Sequence, residues 1–440
     1  MDQPFRTDSM NSKNFLQNIS EKPLIFKKMY YLCLVKTKDF MRSTFLDKKD
    51  NKNSLLKKTI LHLCIQHGEY SIAALSDLLN ASVPTVTKLL GELMDEGFMI
   101  DLGKSGTSGG RRPSLYGLNP EAGLFVGVDI RHTHASLAVT DFKGNLLAFE
   151  DNVPFRMEKT ENAVHQIASS VRNYFSQNNL DWGSVLGMGL SVPGRVNPVT
   201  GYSNTYSFDE DRSIPDILHE DLDVPVVIEN DSRSMTYGEY LEGIVKQERN
   251  VLFINMSWGL GMGMILDGRL YYGTSGYSGE VGHFPLLDND QICRCGKVGC
   301  LETGASGSAL VRMVTEQLEQ GRASSLAPLY QQEGKVNLND IIKAIKAEDV
   351  LAIETVEKIG ANLGRGLAGL INVFNPQLVV IGGKMAMAGD YLLLPVRATV
   401  KRLAQNIAGR DTAIKFTRLK NEAAPIGAAM LSRSRLLGIL

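Results

Sequence analysis

The residues best suited to chemistry lie close together near the middle of the chain. His283 is followed closely by three cysteines, Cys293, Cys295 and Cys300. Zn²⁺ prefers imidazole and thiolate ligands, and one histidine with three cysteines completes a tetrahedron around it. Because all four ligands would be protein side chains, no position stays open for water or substrate, which predicts a structural zinc site. Chance clustering of the cysteines is the alternative, and a disulfide between Cys293 and Cys295 is disfavoured by their close spacing.

The elements that position this cluster come from a chain of 440 residues, a length that predicts two or three separate cores. Acidic and basic residues balance to a net charge of −1, so any contact with nucleic acid must be local. No uninterrupted apolar run approaches the ~20 residues that cross a bilayer. The sequence also lacks a recognisable secretory signal, so we expect a cytoplasmic protein.

Residues 1–52 are rich in lysine and have no clear amphipathic period, which predicts a basic, flexible N-terminal extension. Two alternatives stay open for this segment. Translation could begin at Met41, in which case the preceding residues would be absent from the native protein. The segment could instead be a basic arm that contacts DNA phosphates.

Residues 53–120 have the pattern of a winged helix-turn-helix domain. Three short helices are predicted, with Ser71 and Ser82 placed to cap the second and third and Gly97 to end the third. Leu55, Leu56, Ile60, Leu63 and Cys64 recur on one face of the first helix, Ile72, Leu75, Leu78 and Leu79 are the apolar residues of the second, and Val86, Leu89, Leu90 and Leu93 face inward on the third. Two strands, starting at Phe98 and Ser114, then flank a glycine-rich tip.

DNA contacts are expected at two places in this domain. The N-terminal part of the third helix reaches base edges in this motif. Its candidate contact residues are Ser82, Pro84, Thr85, Thr87 and Lys88. The glycine-rich tip ends in Arg111 and Arg112, and paired guanidiniums suit a narrow minor groove. A merely solvated hairpin and a winged helix that binds protein are the alternatives.

A second domain is expected from residue 121, because Asn119-Pro120 ends the pattern and residues 124–129 form the apolar run of a buried strand. Several motifs in this domain resemble the signature of the ROK family of bacterial sugar kinases, repressors and uncharacterised open reading frames. They are Glu229-Asn-Asp231, Ser257-Trp-Gly-Leu-Gly-Met-Gly263, Gly279-Glu-Val-Gly-His283, Asn372-Val-Phe-Asn-Pro376 and Ile381-Gly-Gly383. The resemblance covers residues 121–440. It implies an α/β, actin-like (ribonuclease-H-like) domain with two lobes around a cleft, preceded here by the helix-rich winged domain.

The resemblance also implies a sugar site in the cleft. The positions that match sugar-contacting residues, or the loop that closes over the sugar, are Gly194, Arg195, Asn230, Asp231, Glu280, His283 and Glu302. Asp231 stands where the kinases have the general base that deprotonates the accepting hydroxyl. His283 would bind zinc through one ring nitrogen and offer the other to a sugar hydroxyl or another acceptor.

The nucleotide side of the cleft departs from the kinase pattern. ROK kinases end the first strand in Asp-x-Gly-Gly-Thr, whose glycines let the backbone approach the ATP phosphates. This chain has Asp129-Ile-Arg131-His132-Thr133 at those positions. Trp258 likewise replaces a small hydroxyl residue in the second phosphate segment. We therefore expect ATP binding and kinase activity to be lost, so that Asp231 is catalytic only if such activity persists.

Together these features predict a sugar-responsive bacterial transcriptional repressor rather than an enzyme. It would bind operator DNA as a homodimer or higher homo-oligomer, carry structural zinc and respond to a sugar or sugar derivative. The main alternative is an ATP-dependent sugar kinase with an appended DNA-binding domain. In a third interpretation the cleft binds no small molecule, and the zinc loop, residues 283–300, binds a protein such as a transporter component.

Overall fold

The computed structural model describes residues 52–104, 113–131, 133–207 and 212–439. The N-terminal extension up to residue 51, the wing tip with Arg111 and Arg112, and His132 lie outside these ranges, so the expectations for them stay predictions. Among the helices described, none has both the length and the apolar composition needed to span a bilayer.

Three helices and a two-stranded sheet form the N-terminal winged domain. They are α1 (Lys52–His67), α2 (Ile72–Leu79), α3 (Val83–Asp95), β1 (Met99–Lys104) and β2 (Ser114–Leu118). Ser71 caps α2 and Ser82 caps α3 as predicted, each accepting a hydrogen bond from the backbone N–H three residues on. The strands pair antiparallel, with Met99 opposite Leu118. The predicted helix-turn-helix and the base of its wing are therefore present.

The buried faces of these helices follow the predicted pattern only in part. All four residues predicted to face inward on α3 are buried: Val86, Leu89, Leu90 and Leu93. On α1 the prediction for Leu55 is wrong, because this side chain is 60% exposed while Lys57 is buried. Lys57 faces inward because its ammonium group pairs with Glu92 at 2.9 Å and with Glu96 at 3.0 Å on α3. This ion pairing rotates the buried face of α1 away from Leu55.

A five-stranded sheet forms the first lobe of the second domain. The elements are β3 (Leu124–Ile130), β4 (His134–Asp141), β5 (Leu146–Pro154), α4 (Glu161–Gln177), β6 (Val185–Val192), β7 (Val196–Asn197), β8 (Tyr202–Ser203), α5 (Ile214–Leu222), β9 (Val226–Asn230) and α6 (Asp231–Leu241). The strand order is β5-β4-β3-β6-β9, antiparallel from β5 to β3 and parallel from β3 to β9. Apolar residues of α4 and α5 share one core with this sheet.

The second lobe repeats this arrangement. Its elements are β10 (Val251–Met256), β11 (Leu260–Leu266), β12 (Arg269–Leu270), α7 (Gly307–Glu319), α8 (Ala327–Glu333), α9 (Leu338–Lys346), α10 (Val350–Phe374), β13 (Leu378–Gly382), α11 (Asp390–Leu403), α12 (Asn406–Asp411) and β14 (Ala413–Phe416). The sheet order is β12-β11-β10-β13-β14, again antiparallel and then parallel. Two lobes with the same sheet pattern confirm the predicted actin-like fold.

The helix α13 (Ala423–Leu436) returns from the second lobe to pack on the first. Glycines on the sheet make this close approach possible. A Cβ atom on Gly127 of β3 would lie 1.8 Å from the carbonyl oxygen of Pro425, and one on Gly189 of β6 would lie 1.9 Å from that of Ala428. No larger residue fits at either position without moving α13.

A buried aromatic cluster joins the winged domain to the first lobe. Phe142, in the turn after β4, lies between Phe98 of the winged domain and Phe125 of β3, with ring centroids 5.4 and 6.1 Å apart respectively. All three rings are fully buried. The turn itself is held by Arg433 of α13, which donates hydrogen bonds to the carbonyl oxygens of Phe142 at 3.0 Å and Lys143 at 2.7 Å. The winged domain therefore rests on a turn that α13 holds in place.

Candidate functional site

The four predicted zinc ligands lie together in the structure. The ligand atoms of His283, Cys293, Cys295 and Cys300 all lie within 4.8 Å of one another. The Cys295 and Cys300 sulfurs are 3.6 Å apart, well beyond a disulfide bond, and the Cys293 sulfur lies 3.5 Å from Nδ1 of His283. This donor set has the spacing of a tetrahedral site, so the cluster can hold a metal ion such as zinc.

The backbone of the zinc loop is shaped by two glycines. Gly296 and Gly299 have φ angles of 84° and 77°, in the left-handed region that favours glycine. Both glycines lie between Cys295 and Cys300, whose sulfurs are brought to within 3.6 Å of each other. Burial raises the pKa of the Cys300 thiol to about 12, so its ionisation as a ligand depends on the charge of the metal itself.

A chain of polar contacts runs from this cluster to the loop predicted to close over the sugar. While Nδ1 of His283 faces Cys293, its Nε2 lies 3.5 Å from a carboxylate oxygen of Glu280. The same oxygen lies 3.4 Å from the guanidinium of Arg195. Both nitrogens of His283 therefore have the partners expected for a metal ligand with a second polar contact.

Glu302 is placed differently from the other predicted sugar-contacting acids. Its carboxylate is nearly buried, accepts a hydrogen bond from the backbone N–H of Leu260 at 2.9 Å, and lies 3.5 Å from the guanidinium of Arg294. The Cys293 sulfur also lies 4.0 Å from it. Glu302 thus connects the zinc loop to the hairpin formed by β10 and β11.

Asn230 and Asp231 lie where β9 ends and α6 begins. The Asn230 side-chain oxygen caps α6, and its Nδ2 donates to the carbonyl oxygen of Gly194 at 2.9 Å and to Asp231 at 2.8 Å. Gly194 has a φ of 88°, which again favours glycine. The loop residues Gly194 and Arg195 therefore contact the two groups of predicted sugar ligands, one around Asp231 and one around Glu280 and His283.

The carboxylate of Asp231 is held by residues that the sequence did not single out. Asn255 on β10 donates to it at 3.3 Å, and the backbone N–H of Ser232 donates at 2.7 Å. Burial and the nearby charge of Asp129 raise the pKa of Asp231 to about 6. Asp231 is thus mainly ionised at neutral pH and can accept hydrogen bonds from hydroxyl groups.

A buried arginine stabilises this part of the site. Arg233 on α6 pairs with Glu229 at 2.6 Å and donates to the carbonyl oxygens of Gly276 at 2.7 Å and Val196 at 3.0 Å. It fixes α6 to both segments that border the predicted sugar ligands. Glu229 lies on β9 and Arg233 on α6, so the helical rule for residues four apart does not apply and the sequence carries no signal for this pair.

On the nucleotide side, Arg131 occupies the altered phosphate loop. Its Nε donates to Asp129 at 2.8 Å, its Nη1 lies 3.5 Å from Asp151, and its Nη2 donates to the carbonyl oxygen of Asn421 at 3.2 Å. Arg131 does not adopt a positive φ angle. Burial raises the pKa of Asp129, although Arg131 and a 2.7 Å hydrogen bond from Ser191 act against this shift. The arginine charge is therefore matched by two carboxylates of the protein.

The predicted DNA-contacting residues lie at the N-terminal end of α3. Ser82, Pro84, Thr87 and Lys88 are exposed and Thr85 is half-buried. The Thr85 hydroxyl lies 2.8 Å from that of Ser82, and the Thr87 hydroxyl donates to the carbonyl oxygen of Val83 at 2.9 Å. These hydroxyls keep lone pairs that can accept hydrogen bonds from a base edge.

The comparisons with known proteins agree with this architecture. The family model described as the ROK family matches residues 125–435. The chain belongs to the ROK family. It is 28% identical over 412 residues to the xylose repressor of Bacillus subtilis, an alignment that covers 91% of this chain and 99% of that protein.

Two further relatives come from different branches of the family, one an enzyme and the other a transcriptional regulator. A glucokinase from Halalkalibacterium halodurans is 29% identical over 314 residues, covering 71% of this chain and 95% of the enzyme. The crystal structure of a ROK family transcriptional regulator, a homologue of the Escherichia coli MLC protein, superposes with a TM-score of 0.75. It covers 89% of this chain and 98% of that one at 24% identity, and so shows that the fold is shared.

Proposed function

We propose that this chain is a sugar-responsive transcriptional repressor, which binds operator DNA through its winged domain and a sugar or sugar derivative in the cleft of its ROK domain. One observation carries the proposal: a winged helix with an exposed recognition surface is joined, through the buried Phe98–Phe142 contact, to a domain that keeps Asn230 and Asp231. The repressor alignment, which spans 91% of the chain against 71% for the glucokinase, supports it.

In this proposal the N-terminal end of α3 enters the major groove. Thr87 is placed to contact a base edge and Lys88 a phosphate. Arg111 and Arg112 would reach an adjacent minor groove. The contacts of Lys57 with Glu92 and Glu96 favour this docking, because its single positive charge offsets part of the negative charge of these two acids, which would otherwise repel phosphates. A dimer would present two such helices to half-sites about 34 Å apart or a multiple of that.

The cleft is proposed to recognise its ligand without transferring phosphate. A phosphate donor needs cationic groups that are free to stabilise its charge. Arg131 is already paired with Asp129 and Asp151, and its side chain fills part of the loop where the kinases have glycine. Asp231 then serves as a hydroxyl acceptor. Its retention at the helix terminus is the observation that favours the second candidate, a sugar kinase with an appended DNA-binding domain.

We propose zinc as the structural metal of this site. We also propose that the protein is located in the cytoplasm. Bound by His283 and the three cysteines, zinc would hold Glu280 and Glu302 in fixed positions relative to each other. The three cysteine thiolates and the His283 imidazole would fill all four coordination positions, so the metal would have a structural role and no part in a reaction step.

Sugar binding is proposed to reach DNA through α6 and α13. The helix α6 begins at Asp231 and lies along α13, where the Tyr237 hydroxyl lies 2.8 Å from that of Ser434. The preceding residue on α13, Arg433, holds the turn that carries Phe142 against Phe98. A ligand that binds one arrangement of the lobes better than another would change the contact between Phe142 and Phe98, and with it the affinity for operator DNA.

Calorimetry of the purified protein against ATP and a panel of monosaccharides, amino sugars and their phosphates tests the two halves of the cleft. Operator binding is then measured with and without each sugar that binds. We expect sugar binding without ATP binding, and weaker operator binding when sugar is present. ATP binding with sugar-dependent release of ADP would make the protein a kinase. Equal operator affinity with and without every sugar would contradict the proposed response.

A further inference from the structure

The turn between β10 and β11 carries an exposed tryptophan on a fixed backbone. Trp258 is 55% exposed. The carbonyl oxygens of Ser257 and Trp258 accept hydrogen bonds, each of 2.9 Å, from the backbone N–H groups of Gly307 and Ser308 at the start of α7. Exposure of a large aromatic ring on an anchored turn leaves apolar surface available to a ligand at little cost in ordering.

Polar groups of the sugar site lie on both sides of this turn. On one side, the Ser257 hydroxyl donates to Asn255 at 2.8 Å, and Asn255 in turn donates to Asp231. On the other side, a Cβ atom built on Gly259 would lie 2.8 Å from Glu302 and 3.2 Å from the guanidinium of Arg294. The turn therefore lies between the Asp231 group and the Arg294–Glu302 pair.

Arg294 adds a hydrogen-bond donor beside the turn, close to Gly259. Its side chain is 73% exposed and its guanidinium lies 3.5 Å from Glu302. The backbone that carries Arg294 is held by two hydrogen bonds of 2.8 Å, from the N–H of Cys293 to the carbonyl oxygen of Lys297 and from the N–H of Gly296 to that of Cys293. A guanidinium has five N–H donors, so most of them stay available after this one contact.

We propose that Trp258 and Arg294 form a second subsite, which takes the second ring of a disaccharide or longer glycoside whose first ring lies at Asn230 and Asp231. This inference rests on the proposed sugar sensing. The C–H face of a sugar ring buries apolar surface on the indole, and its hydroxyl and ring oxygens accept hydrogen bonds from the guanidinium. Asn255 and Trp258 are three residues apart, at most about 11 Å of chain, so one glycoside can span both subsites.

The proposed subsite assigns a ligand-binding role to the altered phosphate segment that contains Trp258. A small residue at position 258 would leave room for a nucleotide phosphate, whereas tryptophan provides the flat apolar surface that recognises a sugar ring. Tryptophan at position 258 would therefore both remove a kinase feature and extend the range of sugars that the cleft can bind.

Fluorescence offers a direct test, because the chain has only two tryptophans. Trp182 packs against Phe175 and Arg172 within the first lobe, so Trp182→Phe leaves Trp258 as the single reporter. Titration of this full-length variant with xylobiose, cellobiose and diacetylchitobiose is expected to shift the Trp258 emission to shorter wavelength. The corresponding monosaccharides are expected to produce a smaller shift.

Calorimetry measures the contribution of the subsite. In Trp258→Ala, the ratio of disaccharide to monosaccharide affinity is expected to fall by at least about tenfold, as for a buried tryptophan anchor. Trp258→Phe should keep part of this ratio because it retains a flat aromatic face. Zinc content and the thermal midpoint check that each variant is folded.

An unchanged affinity ratio in Trp258→Ala, or an emission shift caused by ATP and not by glycosides, would overturn the subsite. If the wild-type protein binds monosaccharides with no preference for disaccharides, the subsite fails and the sensing proposal stands. If it binds neither, both fail.

Discussion

Replacing Phe142 by leucine is expected to weaken communication between the cleft and α3, the helix proposed to bind DNA. Phe142 is fully buried between Phe98 and Phe125, and each aromatic pair contributes about 0.5–1.5 kcal/mol beyond its buried area. Loss of both pairs therefore weakens the packing of the winged domain against the first lobe by about 1–3 kcal/mol. Coupling free energies between two sites are typically also about 1–3 kcal/mol, so most of the sugar response should disappear.

The assay is the ratio of operator affinities without and with a sugar that the wild-type protein binds, measured by fluorescence anisotropy of labelled operator DNA. In Phe142→Leu this ratio should approach one. The matched control is Phe175→Leu, since Phe175 is equally buried in the first lobe and its ring pairs with Trp182 at 4.9 Å. The control is expected to lower the thermal midpoint and to keep the wild-type ratio.

Two results would refute this reasoning. A wild-type ratio in Phe142→Leu would show that the aromatic joint does not transmit the sugar signal. A ratio near one in both variants would show that general loss of stability, and not the position of Phe142, abolishes the response.

Three further predictions concern the cleft, the metal and the DNA. Because burial and Asp129 raise the pKa of Asp231 to about 6, sugar affinity should be retained above pH 6 and fall as the pH drops through this value. Calorimetry of Asp231→Asn should give a flat pH profile, and a wild-type slope in this variant would count against Asp231 as the acceptor. Cys295→Ser should lower the zinc content measured by elemental mass spectrometry and weaken the sugar response, whereas a full complement of zinc would exclude Cys295 as a ligand. Lys88→Ala should weaken binding to all DNA sequences alike and reduce the salt slope by about one, and an unchanged slope would exclude a phosphate contact.

The cluster of His283 with the three cysteines and the buried face of α3 could be predicted because their signals are local. Three cysteines and a histidine at short spacing leave little choice of arrangement, and the structure brings all four together. The apolar period of α3 corresponds directly to its buried residues. The buried face of α1 could not be read in the same way, because the inward residue is Lys57 and its partners lie on another helix.

Contacts between distant segments explain most of what the sequence left open. The loss of glycines in the phosphate loop was visible, but the pairing of Arg131 with Asp151 and Asn421 depends on how three separate segments meet. Asn255 contacts Asp231 only because β10 lies beside the start of α6. The same holds for Arg433, which is fully buried and whose guanidinium donates to the carbonyl oxygens of the Phe142 turn.

The return of α13 to the first lobe has a consequence for synthesis. Residues 423–436 cover β3 and β6, which emerge from the ribosome long before them. Until α13 arrives, these strands lack one apolar covering layer, and the turn that supports the winged domain lacks Arg433. Domains complete their folding only when such distant contacts can form. A nascent chain can therefore form the helices of its winged domain early, but the contact of that domain with the first lobe is completed only after α13 has been synthesised.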